Sequence, residues 1–132
     1  ISSSPPSNKT DNHDHFINSV LPVAVERNMG VLAMKTMADG RFFASKRNLN
    51  REVWNTGAPI IPDRISVKEA LHFVWSLPVS VLITGAENAD LMREKIRLAR
   101  EFSALGEADR QKLIAAVADS ANEGKVEYYK QV

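Results

Sequence analysis

The residues best suited to chemistry lie at one junction. The stretch "VSVLITGAENADLMREKI", Val79 to Ile96, opens as an apolar, partly β-branched run and breaks at Thr84-Gly85-Ala86. Apolar residues then recur three and four apart at Met92, Ile96 and Ala99, so a strand feeds almost directly into a helix. Asn88 can cap that helix. A helix start offers unpaired backbone N–H groups and the positive end of the helix dipole, and a glycine lets an anion approach the backbone closely. A phosphate is the natural guest of such a turn, although plain strand-to-helix connection is its commoner use.

A second candidate stands in "AMKTMADGRFF", where Lys35 follows the apolar run Val31 to Met34 and precedes a loop bearing Gly40. In parallel α/β folds ligands sit beyond the carboxyl ends of strands, which would put Lys35 and Gly85 on one face. A lysine there could pair with a phosphate, and a solvated surface lysine is an equal alternative. His13-Asp14-His15 has ligand-type side chains, but no recognised metal spacing is met and His72 falls mid-helix beside Phe73, so no metal site is expected. Trp54 and Trp75 could line a pocket, although packing in a small core is the commoner use of such residues. The run "MREKIRLARE" is read as a solvated helix face.

The elements that would position these residues follow from periodicity. Residues 1–15, "ISSSPPSNKTDNHDH", form a polar linker or irregular start. From Phe16 the pattern is helical, with Ser19 as a candidate cap and Pro22 in the first turn, and Asn28 and Gly30 end the helix. Val31 to Met34 is a short strand. From Met37 to Ile65 the chain reads as a long irregular segment with a possible helical turn around Lys46 to Trp54. Ser66 and Glu69 form a capping box ahead of "ALHFVWSL". Strand Val79 to Ile83 follows, then a helix from about Asn88 to Phe102. The last helix, from about Glu107 to Ala121, has an apolar stripe of Leu113, Ile114, Val117 and Ala121 expected to be buried. This order predicts a parallel sheet covered by helices. Two strands cannot cover their own edges, so further strands or a second copy are required.

Composition sets the bounds. The chain has 132 residues, 44% hydrophobic and 25% charged, with a net charge of +1 and no cysteine, which fits one globular domain without a disulfide framework. Nothing in the charge balance argues for nucleic acid or an anionic membrane as partner, and neither is expected. No apolar run reaches the roughly 18 residues of a membrane span, and no signal-peptide pattern opens the chain, so a cytoplasmic location is expected. A start at Ile1 suggests a trimmed or partial product.

Taken together, "GVLAMKTMADGRFF", "ISVKEALHFVWSLPVSVLITGAENADLMREKI" and "EYYK" resemble the carboxyl-terminal part of the bacterial aldo/keto reductases over about Phe16 to Lys130. The resemblance implies a partial (β/α)8 TIM barrel, spanning residues 16–132, in which Val31–Met34 and Val79–Ile83 are the seventh and eighth strands. It implies a nicotinamide cofactor, NADP or NAD, and a carbonyl substrate in a full-length parent. Ile83, Thr84, Gly85 and Ala86 would approach the adenosine phosphate, and Glu94 and Lys95 fall on the family's adenine-side Glu-Asn pair. The segment Lys35 to Gly40, with Thr36, would pass over the pyrophosphate, and Met34 aligns with the residue beside the nicotinamide. The family's 2′-phosphate contacts are replaced at Gly85, Ala86 and Leu91, which leaves NADP against NAD open. Its catalytic Asp, Tyr, Lys and His lie on earlier strands, and Tyr128 and Tyr129 do not match them, so no catalytic residue is assigned to this chain. Two other readings stand beside it: a non-catalytic half-barrel that oligomerises through open strand edges, and a nucleotide- or phosphate-binding module without redox chemistry.

Overall fold

The computed structural model describes residues 16–37, 44–48, 51–55, 64–86 and 88–121. Helix α1, Phe16–Glu26, precedes strand β1, Leu32–Ala33. Strands β2, Ala44–Asn48, and β3, Arg51–Asn55, follow, then α2, Val67–Trp75, and β4, Val81–Leu82. Helices α3, Ala89–Arg100, and α4, Glu107–Ala121, complete the order.

Local signals account for most boundaries. At α2 the Ser66 hydroxyl accepts from the Glu69 N–H at 3.1 Å while the Glu69 carboxylate accepts from the Ser66 N–H at 2.7 Å, the reciprocal capping box expected from the sequence. Asn88 caps α3 by accepting the Leu91 N–H at 2.8 Å. Helix α1 ends where Asn28 takes a left-handed φ of 52°, with Met29 N–H donating to Ala24 O and Asn28 N–H to Val25 O. That pair of bonds is the Schellman closure, in which asparagine is the best substitute for glycine.

The start of α1 departs from expectation. The helix begins at Phe16, so Ser19 lies inside it and is not its cap, and Pro22 is an interior residue rather than one in the first turn. A proline there removes a ladder bond, at a cost of about 3 kcal/mol in an ordinary helix interior. Burial of Leu21 and Ala24 against Val31, on either side of the proline, offsets that loss.

Strands β1 and β4 pair in parallel, Leu32 opposite Val81 and Ala33 opposite Leu82. Bonds from Val81 N–H to Val31 O and from Ile83 N–H to Ala33 O extend the ladder at both ends, and the Ser80 hydroxyl accepts the Val31 N–H at 3.0 Å. The regular strands are shorter than the runs Val31–Met34 and Val79–Ile83. The described residues between Lys46 and Trp54 are strand rather than helical turn: β2 and β3 form an antiparallel ladder with Ala44 opposite Asn55 and Asn48 opposite Arg51. The sequences ASKRN and REVWN hold no apolar alternation that would mark strands.

The core gathers around α2, where Leu71, His72, Phe73 and Val74 are all buried. Leu71 packs with Met37 and Leu98, while Phe73 and Val74 pack with Ala33 and, across the interface, Leu113 and Ile114 of α4. The α4 stripe is half-buried rather than buried at Leu113, Ile114 and Val117, and the side chain of Ala121 lies outside the described residues. Leu71 has 0% exposure, so Leu71→Ala should lower the unfolding free energy by about 2–5 kcal/mol. Ser66→Ala should cost about 1 kcal/mol through the lost cap. Urea unfolding followed by circular dichroism measures both, and a Leu71→Ala loss below that of Ser66→Ala would contradict the central place of α2.

Candidate functional site

Because β1 and β4 run parallel in register, their carboxyl ends emerge side by side. Beyond β1 stand Met34, which is exposed, Lys35 and half-buried Thr36. Lys35 adopts a left-handed φ of 54°, a conformation that costs a residue with a Cβ on the order of 1 kcal/mol. Met37 then turns inward and is buried against Leu71 and Leu98, which anchors the loop to the core. Gly40 lies outside the described residues, as do His13, Asp14 and His15, Tyr128 and Tyr129, and the side chain of Trp54.

Beyond β4 the chain passes through Thr84, Gly85 and Ala86 before Asn88 opens α3. A Cβ built on Gly85 would meet nothing within 4 Å, and its backbone is not left-handed. Neither packing nor conformation therefore demands glycine here. Beneath the turn lies Lys95, only 8% exposed. Its ammonium donates to Thr84 Oγ1 at 2.8 Å and to the carbonyl oxygen of Gly85. A buried ammonium is tolerated only when such acceptors replace its water.

The buried face of α3 accordingly runs through Leu91, Lys95 and Leu98, with Leu91 half-buried, whereas Met92, Ile96 and Ala99 are exposed. The apolar period at the last three residues fixes the helix but not its inward face. Leu91 falls on the Lys95 side of the helix, and Arg93 points to solvent, paired with Asp90 at 2.6 Å. Glu94 is exposed as well, held by Arg97 at 2.6 Å, and Arg97 also reaches Glu101 at 2.7 Å. The expected set thus divides. Thr84, Gly85, Ala86 and Lys95 come together at one strand end, with Met34, Lys35 and Thr36 at the end beside it, while Glu94 belongs to the solvated charge network.

His72 is a packed residue. Its ring meets Phe102 edge-on at 5.4 Å and Trp75 at 5.9 Å, and Nε2 lies 3.4 Å from the Leu98 carbonyl oxygen. With the proton on Nε2 the ring ties α2 to α3. Among the described residues no three His, Cys, Asp or Glu side chains converge as a metal site would need, and no helix is long and apolar enough to cross a membrane. A groove of about 770 Å³ runs between α1 and the first turns of α4, bordered by Leu21, Val25, Leu77, Pro78 and Arg110. It adjoins the approach to β4 rather than the strand's carboxyl end, and none of the expected cofactor residues lines it.

No protein-family model, curated protein or solved structure matches this chain. Any function must therefore be argued from the strand ends themselves.

Two signals of the site were hidden in the sequence. Lys95 occupies a position on a charged run that looks solvated, and only its spacing of four from Leu91 and three from Leu98 could have marked it as inward. Ser76 is the other: its hydroxyl donates to His72 O and accepts the Leu105 N–H, while its carbonyl accepts from Arg110. That triple use fixes the connection between α3 and α4 against the end of α2.

Arg97 donating to the Glu94 carboxylate holds it below the ordinary glutamate range. A depressed carboxylate pKa stabilises the folded chain above the unfolded value, and the contribution is lost as pH falls through the depressed one. In Arg97→Ala the Glu94 carboxyl should titrate closer to an ordinary glutamate. NMR titration of the side-chain carbonyl reads the difference, and an unchanged midpoint would show that the pair does not persist in solution.

Proposed function

We propose that this chain is the cofactor-binding, carboxyl-terminal part of an NAD(P)H-dependent aldo/keto reductase of (β/α)8 form. The carbonyl chemistry would then belong to strands outside the chain. The observation that carries the proposal is the parallel pairing of β1 with β4 through a connection that includes α2, which brings Met34–Thr36 and Thr84–Ala86 to one end. Ligands of parallel α/β folds bind at that end.

The two faces of the strand pair add support. Val31 and Ala33 are buried and Leu82 half-buried on the helix side, while Leu32 and Met34 are more than half exposed and Val81 and Ile83 about half. Parallel strands are ordinarily covered on both faces, and the inner face of a barrel is filled by branched and apolar side chains from other strands. An open face of Leu, Met, Val and Ile is what a slice of such a barrel would present.

In this reading the dinucleotide lies along the strand ends, its adenosine phosphate toward Thr84–Ala86 and its nicotinamide toward Met34. The open space at Gly85 would admit the ligand to backbone N–H groups. Bound nicotinamide supplies hydride, and this chain's residues hold and orient it. Fluorescence titration should show NADPH binding by the 132-residue chain, with no turnover of an aldehyde panel. Turnover that depends on a residue of this chain would sink the proposal, and equal binding of simple adenosine phosphates would favour a nucleotide module instead. Since a side chain at position 85 meets open space, Gly85→Lys should fold as the parent does and raise the NADPH-over-NADH preference about ten-fold, the effect of one charged contact.

The same open face favours one other reading, a half-barrel that persists by pairing with a second copy. Light scattering distinguishes them: a dimer whose dissociation unfolds the chain supports pairing, and a monomer with a cooperative melt counts against it.

A further inference from the structure

The hydrogen bonds of Lys95 do more than satisfy its own buried ammonium. Its ammonium draws the Gly85 carbonyl oxygen toward the body of α3 and takes Thr84 Oγ1 as a second acceptor at 2.8 Å. A trans peptide carries its C=O and N–H on opposite sides, and no cis bond occurs among the described residues. With the Gly85 carbonyl held inward, the Ala86 N–H in the same peptide plane is directed away from Lys95. No described residue accepts that N–H. The adjoining glycine leaves its surroundings clear, since an added Cβ would touch nothing within 4 Å.

We propose that Lys95 is the positioning residue of the nucleotide site: by fixing the Gly85–Ala86 peptide it presents the Ala86 N–H to a phosphate oxygen of the bound dinucleotide. The inference rests on the cofactor-binding reading and assigns that reading a residue whose work is indirect. The ammonium lies beneath the turn and acts through the peptide, so its loss should disorder a donor rather than remove a surface contact. Leu91, half-buried on the same helix face, carries no charge, and Arg93 is turned to solvent and paired with Asp90.

The test follows backbone amides by NMR in the full chain, its Lys95→Arg and Lys95→Met variants and Thr84→Val. NADPH and millimolar inorganic phosphate are titrated separately. Both probes should shift the Ala86 amide in the parent chain. Lys95→Met should lose that shift and bind NADPH about ten-fold more weakly or worse, as expected for loss of a charge-assisted hydrogen bond, while Lys95→Arg retains both. Thr84→Val, which leaves Lys95 in place but removes one of its anchors, should weaken the response, and it decides the matter if Lys95→Met does not fold. A Lys95→Met or Thr84→Val protein that binds and shifts as the parent does would overturn the inference, as would an Ala86 amide unmoved by either probe. Phosphate shifting Ala86 in the parent but not in Lys95→Met, with NADPH failing to bind, would retire the dinucleotide reading and leave the positioning role standing.

Discussion

Four consecutive residues of α2, Leu71 to Val74, are buried, and at 100° per residue they sweep most of the helix circumference. A helix enclosed in this way needs neighbours on several sides. The β1–β4 pair supplies one through Ala33 and Leu82, Met37 and Leu98 supply a second, and Leu113 and Ile114 of α4 a third. Two of these neighbours are further tied by a polar contact that only a fixed geometry allows. His72 reaches the Leu98 carbonyl, and Ser76 engages Leu105 and Arg110. The strand ends inherit their geometry from this arrangement, because Leu98 seats α3 and Met37 seats the loop after β1 in the same cluster.

That enclosure is one-sided. The helices complete one face of the strand pair and leave the other with its apolar side chains in water. Burying such residues is worth about 25 cal/mol per Å², so a face of four of them represents several kcal/mol that this packing leaves unrealised. Exposed Met92 and Ile96 on α3 add to the unspent apolar surface. Both a barrel with further strands and a pairing of two copies would recover it. The barrel reading explains in addition why the Lys35 strain, the Gly85 opening and the buried Lys95 all gather at the carboxyl ends. Sparsely populated backbone conformations persist where surrounding structure enforces them, and they concentrate at ligand sites.

Elements set by local chemistry were legible from the residues alone. Ser66 with Glu69, Asn88 and Asn28 each act within one helical turn of themselves, and the boundaries they imply for α2, α3 and the end of α1 agree with the structure. Features decided by distant partners were not. Ser19 is a good cap by type, yet α1 extends back to Phe16. Strands β2 and β3 carry no periodic signal and are paired through backbone bonds that do not depend on it. The inward face of α3 was misleading for a sharper reason: Met92, Ile96 and Ala99 have the apolar period, but a lysine and two leucines occupy the side that packs. The oxygens of Thr84 and Gly85, contributed by the loop after β4, help make Lys95 acceptable there.

Under the proposed reductase reading, Gly85, Ala86, Leu91 and Lys95 form one linked arrangement rather than four separate departures from the family pattern. Leu91 shares its helix face with Lys95 and Leu98, so an arginine there would have to leave the half-buried side to meet a ligand. Gly85 and Ala86 present little beyond their backbone. The positive charge of the junction is carried from within by Lys95, where solvent screens it less than it would a surface lysine. Such a turn would hold an anion through oriented N–H groups more than through side-chain ion pairs. If the proposed dinucleotide binds there, discrimination between a 2′-phosphate and a 2′-hydroxyl would depend on how near the 2′-phosphate comes to the buried ammonium, and the Thr84 hydroxyl, which anchors that ammonium, would be part of the same determinant.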